Sequence, residues 1–333
     1  MCYNIKKIGV DTMVFEKKIV NIYKGMAYTR CDDNGTAFYF TAKNFAGLRS
    51  ESYRFTSSKG HKLQGYLYYY EEPIEKRIVI FDHGFGGGHT SYMREIEMLC
   101  RCGYLVFAYD HTGCMESGGE TPNGMAQSLC DLNDCINTIK ADARFDGYDI
   151  SVMGHSWGGF STLNITALHP DISHIVVLSG FVSVEHLVNA YFSGILKAYK
   201  KPIMKLESAS NPEFIKFSAV DTLKTSDTKA LLIYSDNDKL CSKKVHYDTL
   251  YGALAGKDNI TFMLESGKGH NPNYTANAVK LLGEYVTAKN KLIKEKKLIT
   301  DVQKKSFIDS FDWKAMTEQD ERVWNAILKH LES

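Results

Sequence analysis

From about residue 50 the chain alternates short β-rich apolar runs with longer segments of helical period, the pattern of βαβ units feeding a largely parallel sheet. SESYRFTSSKGHKLQGYLYYY reads as two antiparallel strands around Lys59-Gly60. After it, RIVIFDH, YLVFAYD, DISVMGH, HIVVLSG, ALLIYSD and NITFMLES each read as a buried strand closed by a polar residue or glycine at its carboxyl end. Those ends matter, because open α/β sheets place their active sites there. Between strands the period changes: Met125, Leu129, Leu132, Ile136 and Ile139 are spaced by four, three, four and three residues and share one helical face. That stripe is core packing.

The same patterning divides the chain. Residues 51–180 and 229–287 form the two parts of an α/β core, with no clear strand in residues 181–228 between HIVVLSG and ALLIYSD. The intervening segment carries Phe181, Tyr191, Phe192, Phe214 and Phe217 and is expected to be an inserted helical cap that binds substrate through these aromatics. Residues 1–50 read as an amphipathic extension followed by a weak hairpin, and residues 288–333 as two added helices. In the last of these Thr317 and Asp320 make a capping pair, and Val323, Ile327, Leu328 and Leu331 form the packing face. The run AKNKLIKEKKLITDVQKK reads as a solvated helix face.

Charge and composition narrow the function. The 333 residues hold 40 Lys and Arg against 39 Asp and Glu, a net charge of +1, so no global field is available to hold a nucleic acid or a membrane surface. The first segment, MCYNIKKIGVDTMVFEKK, breaks every apolar run with a charge and lacks the stretch of a signal peptide, and no later run approaches the ~18 apolar residues that span a bilayer. The eight cysteines show no zinc-site spacing and read as reduced, mostly buried thiols of a cytoplasmic protein. A soluble enzyme acting on a small molecule, without stable membrane insertion, fits best.

Four turns carry chemistry. Gly154-His155-Ser156-Trp157-Gly158 matches G-x-S-x-G between an expected strand and an expected helix, the setting of a nucleophile on a strained turn. The helix beginning at Trp157 would point its positive end at developing negative charge. FDHGFGGGHT ends the strand RIVIFDH in a glycine-rich turn able to aim a backbone N–H at a carbonyl oxygen, so the N–H groups of Phe85 and Trp157 are the candidate oxyanion donors. It satisfies neither G-x-x-x-x-G-K-[ST] nor G-x-G-x-x-G, which disfavours phosphate binding. The strand ALLIYSD runs into Asp236-Asn237-Asp238, and NITFMLES is followed by Gly267-Lys268-Gly269-His270. Nucleophile, acid and histidine thus follow in the order Ser, Asp, His, each on a loop after a strand, with Asp238 and Asp236 both open as the acid.

With these motifs residues 50–285 resemble the α/β-hydrolase family, especially its capped esterase, monoacylglycerol-lipase-like and serine-peptidase-like branches. The resemblance implies a mostly parallel central sheet with helices on both faces and a helical cap. It implies a catalytic triad of Ser156, Asp238 and His270, because the family's acid lies three residues beyond the strand-end position held here by Ser235. Asp110-His111-Thr112-Gly113-Cys114-Met115-Glu116-Ser117 resembles the family's D-x-R-G-x-G-x-S loop, with Thr112 for Arg and Met115 for Gly. His83 and His155 are expected to be structural, His89 and His111 polar loop residues.

The expected reaction is acyl transfer to Ser156 with His270 as general base, followed by hydrolysis of the acyl-enzyme, with no metal or organic cofactor. The aromatic cap and a Trp157 placed beside the nucleophile favour a carboxylic ester with a small or medium apolar acyl group. An amide or peptide substrate, as in serine aminopeptidases, is the alternative. A silent hydrolase-like binding protein is a third reading, disfavoured by the intact set of motifs.

Overall fold

The computed structural model describes residues 2–71 and 76–333. Strands β1 (Arg49–Thr56) and β2 (Lys62–Tyr69) pair antiparallel, Thr56 opposite Lys62, across a turn in which Gly60 takes φ 82°. They are followed by β3 (Arg77–Asp82), β4 (Leu105–Tyr109), β5 (Asp149–His155), β6 (His174–Leu178), β7 (Lys229–Ser235) and β8 (Ile260–Glu265). These join in one sheet of order β1-β2-β4-β3-β5-β6-β7-β8. β2 runs antiparallel to β4, and every pairing from β4 to β8 is parallel. The sheet therefore grows first to one side of β3 and then to the other, so a crevice opens at the carboxyl ends of β3 and β5.

Apolar runs bury both faces of the inner strands. Ile78 and Ile80 face one core together with Leu105, Phe107, Val152 and Val177, whereas Val79 and Phe81 face the other with Val106, Met153 and Val176. Helices cover both sides, as two buried faces require. In chain order they are α1 (Cys2–Ala27), α2 (Met93–Arg101), α3 (Gln127–Ala141), α4 (Trp157–Asn164), α5 (Val184–Tyr191), α6 (Lys200–Ser210), α7 (Ala219–Thr225), α8 (Tyr247–Leu254), α9 (Ala276–Lys294), α10 (Asp301–Asp309), α11 (Trp313–Met316) and α12 (Glu321–Leu331). The Met125–Ile139 stripe lies on and just before α3 and is buried in the first core. Residues 181–228 hold α5, α6 and α7 and no strand. No helix is long and apolar enough to cross a membrane among the described residues.

Both ends differ from the expectation. Among the described residues no hairpin forms before β1: a 3-10 turn (Ala42–Asn44) stands there, and the sheet-like contact of residues 29–48 is a bridge between Cys31 and Cys114. The segment spends its backbone groups on the core instead, Cys31 N–H donating to Gly113 O at 2.9 Å and Met115 N–H to Cys31 O at 2.9 Å. α1 occupies residues 2–27 of the extension, and the side chains of residues 2–14, on which the expected amphipathic pattern partly rests, lie outside the described residues.

At the other end α9 runs through residue 288, and three further helices follow rather than two. Lys296 at φ 56° ends one run, and Asp312 caps α11 by accepting from Ala315 N–H. The cap of α12 is Asp320 alone, which accepts from Arg322 and Val323 N–H, while the Thr317 hydroxyl turns back to donate to Trp313 O. Val323, Ile327 and Leu331 are buried as expected, joined by Trp324, and Leu328 packs half-buried beside them. The added helix thus completes the second core. Lys291, Lys294, Lys296 and Lys297 are exposed.

Candidate active site

β5 delivers Ser156 to the start of α4 at φ 56°, ψ −108°, a conformation that costs an L-residue about 1–3 kcal/mol. Neighbours hold it there: Ser156 N–H donates to Leu178 O at 2.9 Å and Phe160 N–H to Ser156 O at 3.0 Å. The flanking glycines are steric necessities, since a Cβ on Gly154 would stand 2.2 Å from Thr162 Oγ1 and one on Gly158 2.0 Å from Asp82 O. The Trp157 side chain turns inward. Its ring is buried, 1 % exposed, with Nε1–H donating to Met125 O at 2.6 Å, and packs against Phe85 and His111.

The loops after β7 and β8 are laced together. Asn237 Oδ1 accepts from Gly269 N–H at 2.7 Å and from Ser235 Oγ at 2.9 Å, while Lys268 N–H donates to Ser235 Oγ at 3.0 Å. This lacing brings His270 Nδ1 to 2.7 Å from Asp238 Oδ2. The other oxygen, Asp238 Oδ1, accepts from Leu240 and Cys241 N–H at 2.8 and 3.0 Å. Burial pushes the Asp238 carboxyl up, but the hydrogen bond and charge of His270 and the two N–H donors outweigh it and hold it below the usual range. Asp236 points the other way, is exposed, and accepts from Gly267 N–H and Ser266 Oγ at 2.9 and 2.8 Å. Behind His270 the buried Lys268 ammonium is pinned by Tyr274 O and by Asp320 Oδ2 at 2.6 Å, so the C-terminal helix braces this loop.

Among the described residues no hydrogen bond joins Ser156 Oγ to His270; the Cys241 thiol lies beside the serine hydroxyl. Such bonds are often long in resting enzymes and tighten with substrate. A second set of contacts ties the histidine loop to the elbow and the glycine turn. His155 Nε2–H donates to His270 O at 2.8 Å, its Nδ1 accepts from Tyr92 Oη at 2.8 Å, and Tyr92 Oη accepts from Gly84 N–H at 3.1 Å. The Phe85 and Trp157 N–H groups donate to nothing among the described residues.

Beneath the turn lies a buried charge cluster that the sequence did not announce. His111 stands 2.9 Å from Asp82 Oδ1 and 3.3 Å from Asp131 Oδ2, all three side chains fully buried. Asp82 accepts hydrogen bonds from Tyr109 Oη and Ser161 Oγ, and Asp131 from Thr112 N–H, Thr112 Oγ1 and Gln127 Nε2. The position where the family carries Arg thus serves a carboxylate of α3. His89 is likewise buried, its Nδ1 2.7 Å from Asp110 Oδ1, so both histidines sit against buried carboxylates. Met115, where the family has Gly, takes φ 42°.

Burial pushes the His111 ring down, but Asp82 and Asp131 outweigh it and raise it to about 9. Burial, reinforced by His111, drives His83 down to about 3; burial, reinforced by His270, does the same to His155. Unfolded histidines titrate near ~6.5. His83 and His155 therefore withdraw stability as pH falls below ~6.5, while His111 contributes stability present in full below ~6.5 and lost as pH rises through about 9. Urea unfolding should show a maximum close to neutrality, with an alkaline loss of up to about 3 kcal/mol that shrinks in His111→Asn. An unchanged alkaline limb in that variant would refute the assignment.

The aromatic residues expected to bind substrate separate into two groups. Phe181 is 2 % exposed and stacks on Phe160 with centroids 4.7 Å apart, so its ring belongs to the core. Tyr191 is exposed with its hydroxyl toward Leu240 O, Phe192 packs edge-on against Tyr23 of α1, and Phe214 and Phe217 are half-buried and stacked. Among the described residues no group of three or more His, Cys, Asp or Glu is arranged to hold a metal ion. A surface cleft of about 640 Å³ lined by Phe45, Tyr70, Glu97 and Tyr104 holds none of these groups.

A family model described as serine aminopeptidase, S33 matches residues 73–266. The monoglyceride lipase of Rattus norvegicus is 30% identical over 117 residues, 34% of this chain and 36% of that protein. Cutinase 1 of Thermobifida cellulosilytica is 28% identical over 118 residues, 34% of this chain and 44% of that protein. The matched stretch thus spans less than half the length of these relatives. In fold, an esterase of Pyrococcus furiosus superposes with a TM-score of 0.56 at 18% identity, covering 81% of this chain and 99% of that one. An α/β hydrolase of Penicillium sp. sh18 gives 0.50 at 16% identity, covering 74% and 97%.

Proposed function

Since the chain belongs to the serine aminopeptidase S33 family of α/β hydrolases, we propose that it is a serine hydrolase in which Ser156 attacks the substrate carbonyl, His270 removes its proton and Asp238 orients the imidazole. The observation that carries this reading is the Asp238–His270 contact at 2.7 Å, formed on loops tied by His155 to the strained turn of Ser156. With Nδ1–H held by Asp238, the basic lone pair is left on Nε2, the tautomer a general base needs. The Phe85 and Trp157 N–H groups, free of other acceptors among the described residues, receive the oxyanion, each worth about 3 kcal/mol of transition-state stabilisation. Water activated by His270 then releases the acid.

The substrate we propose is a carboxylic ester with a small or medium apolar acyl group. Tyr191, Phe192, Phe214 and Phe217 supply apolar surface on the segment between β6 and β7, and the similar proteins named above include a monoglyceride lipase and a cutinase. An aminopeptidase would need a carboxylate free to hold the substrate ammonium. The buried carboxylate of that segment, Glu207, is already engaged by Tyr23 Oη, Tyr28 Oη and Met125 N–H. The test is hydrolysis of p-nitrophenyl esters of increasing acyl length beside aminoacyl p-nitroanilides. Esters should be preferred, and Phe214→Ala and Phe217→Ala should change kcat/KM unequally along the series, by about fivefold for each substrate methylene that the ring had covered. Preference for the anilides would reverse the substrate class, and a parallel fall at every length would remove these aromatics from the binding site.

A further inference from the structure

We propose that Cys31 and Cys114 form an oxidation site that closes to a disulfide when the protein meets hydrogen peroxide or an organic hydroperoxide. The two residues are partners in a parallel bridge, fixed by Cys31 N–H to Gly113 O and Met115 N–H to Cys31 O, both 2.9 Å. Paired residues of a parallel bridge direct their side chains to the same side, so the two thiols are neighbours, each acting on the ionisation of the other. Cys31 is half-buried and open to a small oxidant, whereas Cys114 is fully buried behind it.

The surroundings divide the work between the two sulfurs. The neighbouring Cys114 thiol, the Gly86 N–H and the charge of Arg30 lower the Cys31 thiol below its ordinary value, outweighing burial and Asp32. Arg30 is itself held in place, donating to Gly119 O and Met115 O and paired with Asp32 at 2.7 Å. The neighbouring Cys31 thiol and burial push Cys114 up, so it keeps its proton. Cys102 is more exposed, yet burial of its sulfur raises it, as it raises Cys100, Cys130, Cys135 and Cys241. Reactivity toward peroxide follows the thiolate, so Cys31 is oxidised ahead of the exposed Cys102.

The chemistry balances with one peroxide. The Cys31 thiolate attacks one peroxide oxygen, forming a sulfenic acid and releasing hydroxide, which takes up the thiolate's lost proton as water. The Cys114 sulfur then attacks the Cys31 sulfur, the S–O bond breaks, and the departing hydroxide leaves as water with the Cys114 proton. Two thiols are oxidised by two electrons in all, the O–O bond breaks, and hydrogen peroxide is reduced to two waters, or an organic hydroperoxide to one alcohol and one water. The link closes a loop of more than eighty residues and fastens the segment after α1 to the Asp110–Gly119 loop, beside the glycine turn. This does not depend on the triad.

The full chain is treated with about one equivalent of hydrogen peroxide, alkylated, and mapped without reduction by mass spectrometry. A Cys31–Cys114 peptide should appear with Cys102 still alkylated, disappear on reduction, and be absent in Cys31→Ser; the melting temperature should rise by about 5 °C. In Cys114→Ser, Cys31 should stop at the sulfenic acid and be trapped by dimedone. Should Cys114→Ser fail to fold, the wild-type and Cys31→Ser maps decide the question without it. Oxidation of Cys102 before Cys31, or passage of Cys31 to sulfinic acid with Cys114 still alkylatable, would overturn the proposal.

Discussion

Ser156→Ala should lower kcat toward ester substrates by about a million-fold, leaving only what binding and the backbone donors supply. The reason lies in the turn: the hydroxyl sits at φ 56° where β5 meets α4, on loops shared with the Asp238–His270 pair. Stability should change little, because the strain belongs to the backbone and is held by the Leu178 and Phe160 hydrogen bonds, which alanine keeps. A fluorophosphonate should label the wild-type protein once, on Ser156, and leave the variant unlabelled. Activity in the variant within tenfold of wild type, or a label mapped to another serine, would remove Ser156 from the reaction.

Asp238→Asn should reduce kcat by about four orders of magnitude, because the amide lets the imidazole adopt the wrong tautomer while keeping the packing. Asp236→Asn should cost less than about tenfold: its carboxylate faces Ser266 and Gly267 and acts on the histidine only through the loop. The comparison is made on kcat with saturating p-nitrophenyl ester and with both variants shown to be folded. If Asp236→Asn proved the more damaging, the orienting role would pass to that residue.

The sheet was legible because apolar runs of strand length, each stopped by a polar or glycine residue, recur at βαβ spacing, and all eight strands stand where those runs lie. The ends of the chain were less legible for a reason visible at Cys31. A segment whose backbone pairs with a distant loop carries no period of its own, and an apparent hairpin is lost once Gly113 and Met115 supply the hydrogen bonds. Asp320 shows the same at the other end, since it caps α12 and also holds Lys268, more than fifty residues away, behind His270.

What the sequence by itself determined is the order of chemistry along the chain. Glycines at 154 and 158 surround a serine between strand and helix, and an acidic turn and a histidine turn follow later strands, because local period and steric demand are written residue by residue. Only the tertiary structure decided which carboxylate meets His270, that Trp157 and Phe181 turn into the core, and that His111 is a buried ring between Asp82 and Asp131. Those outcomes depend on where a side chain points after a turn and on partners from other strands and helices. Charge and hydrogen bonding through space are settled only once the strands are side by side.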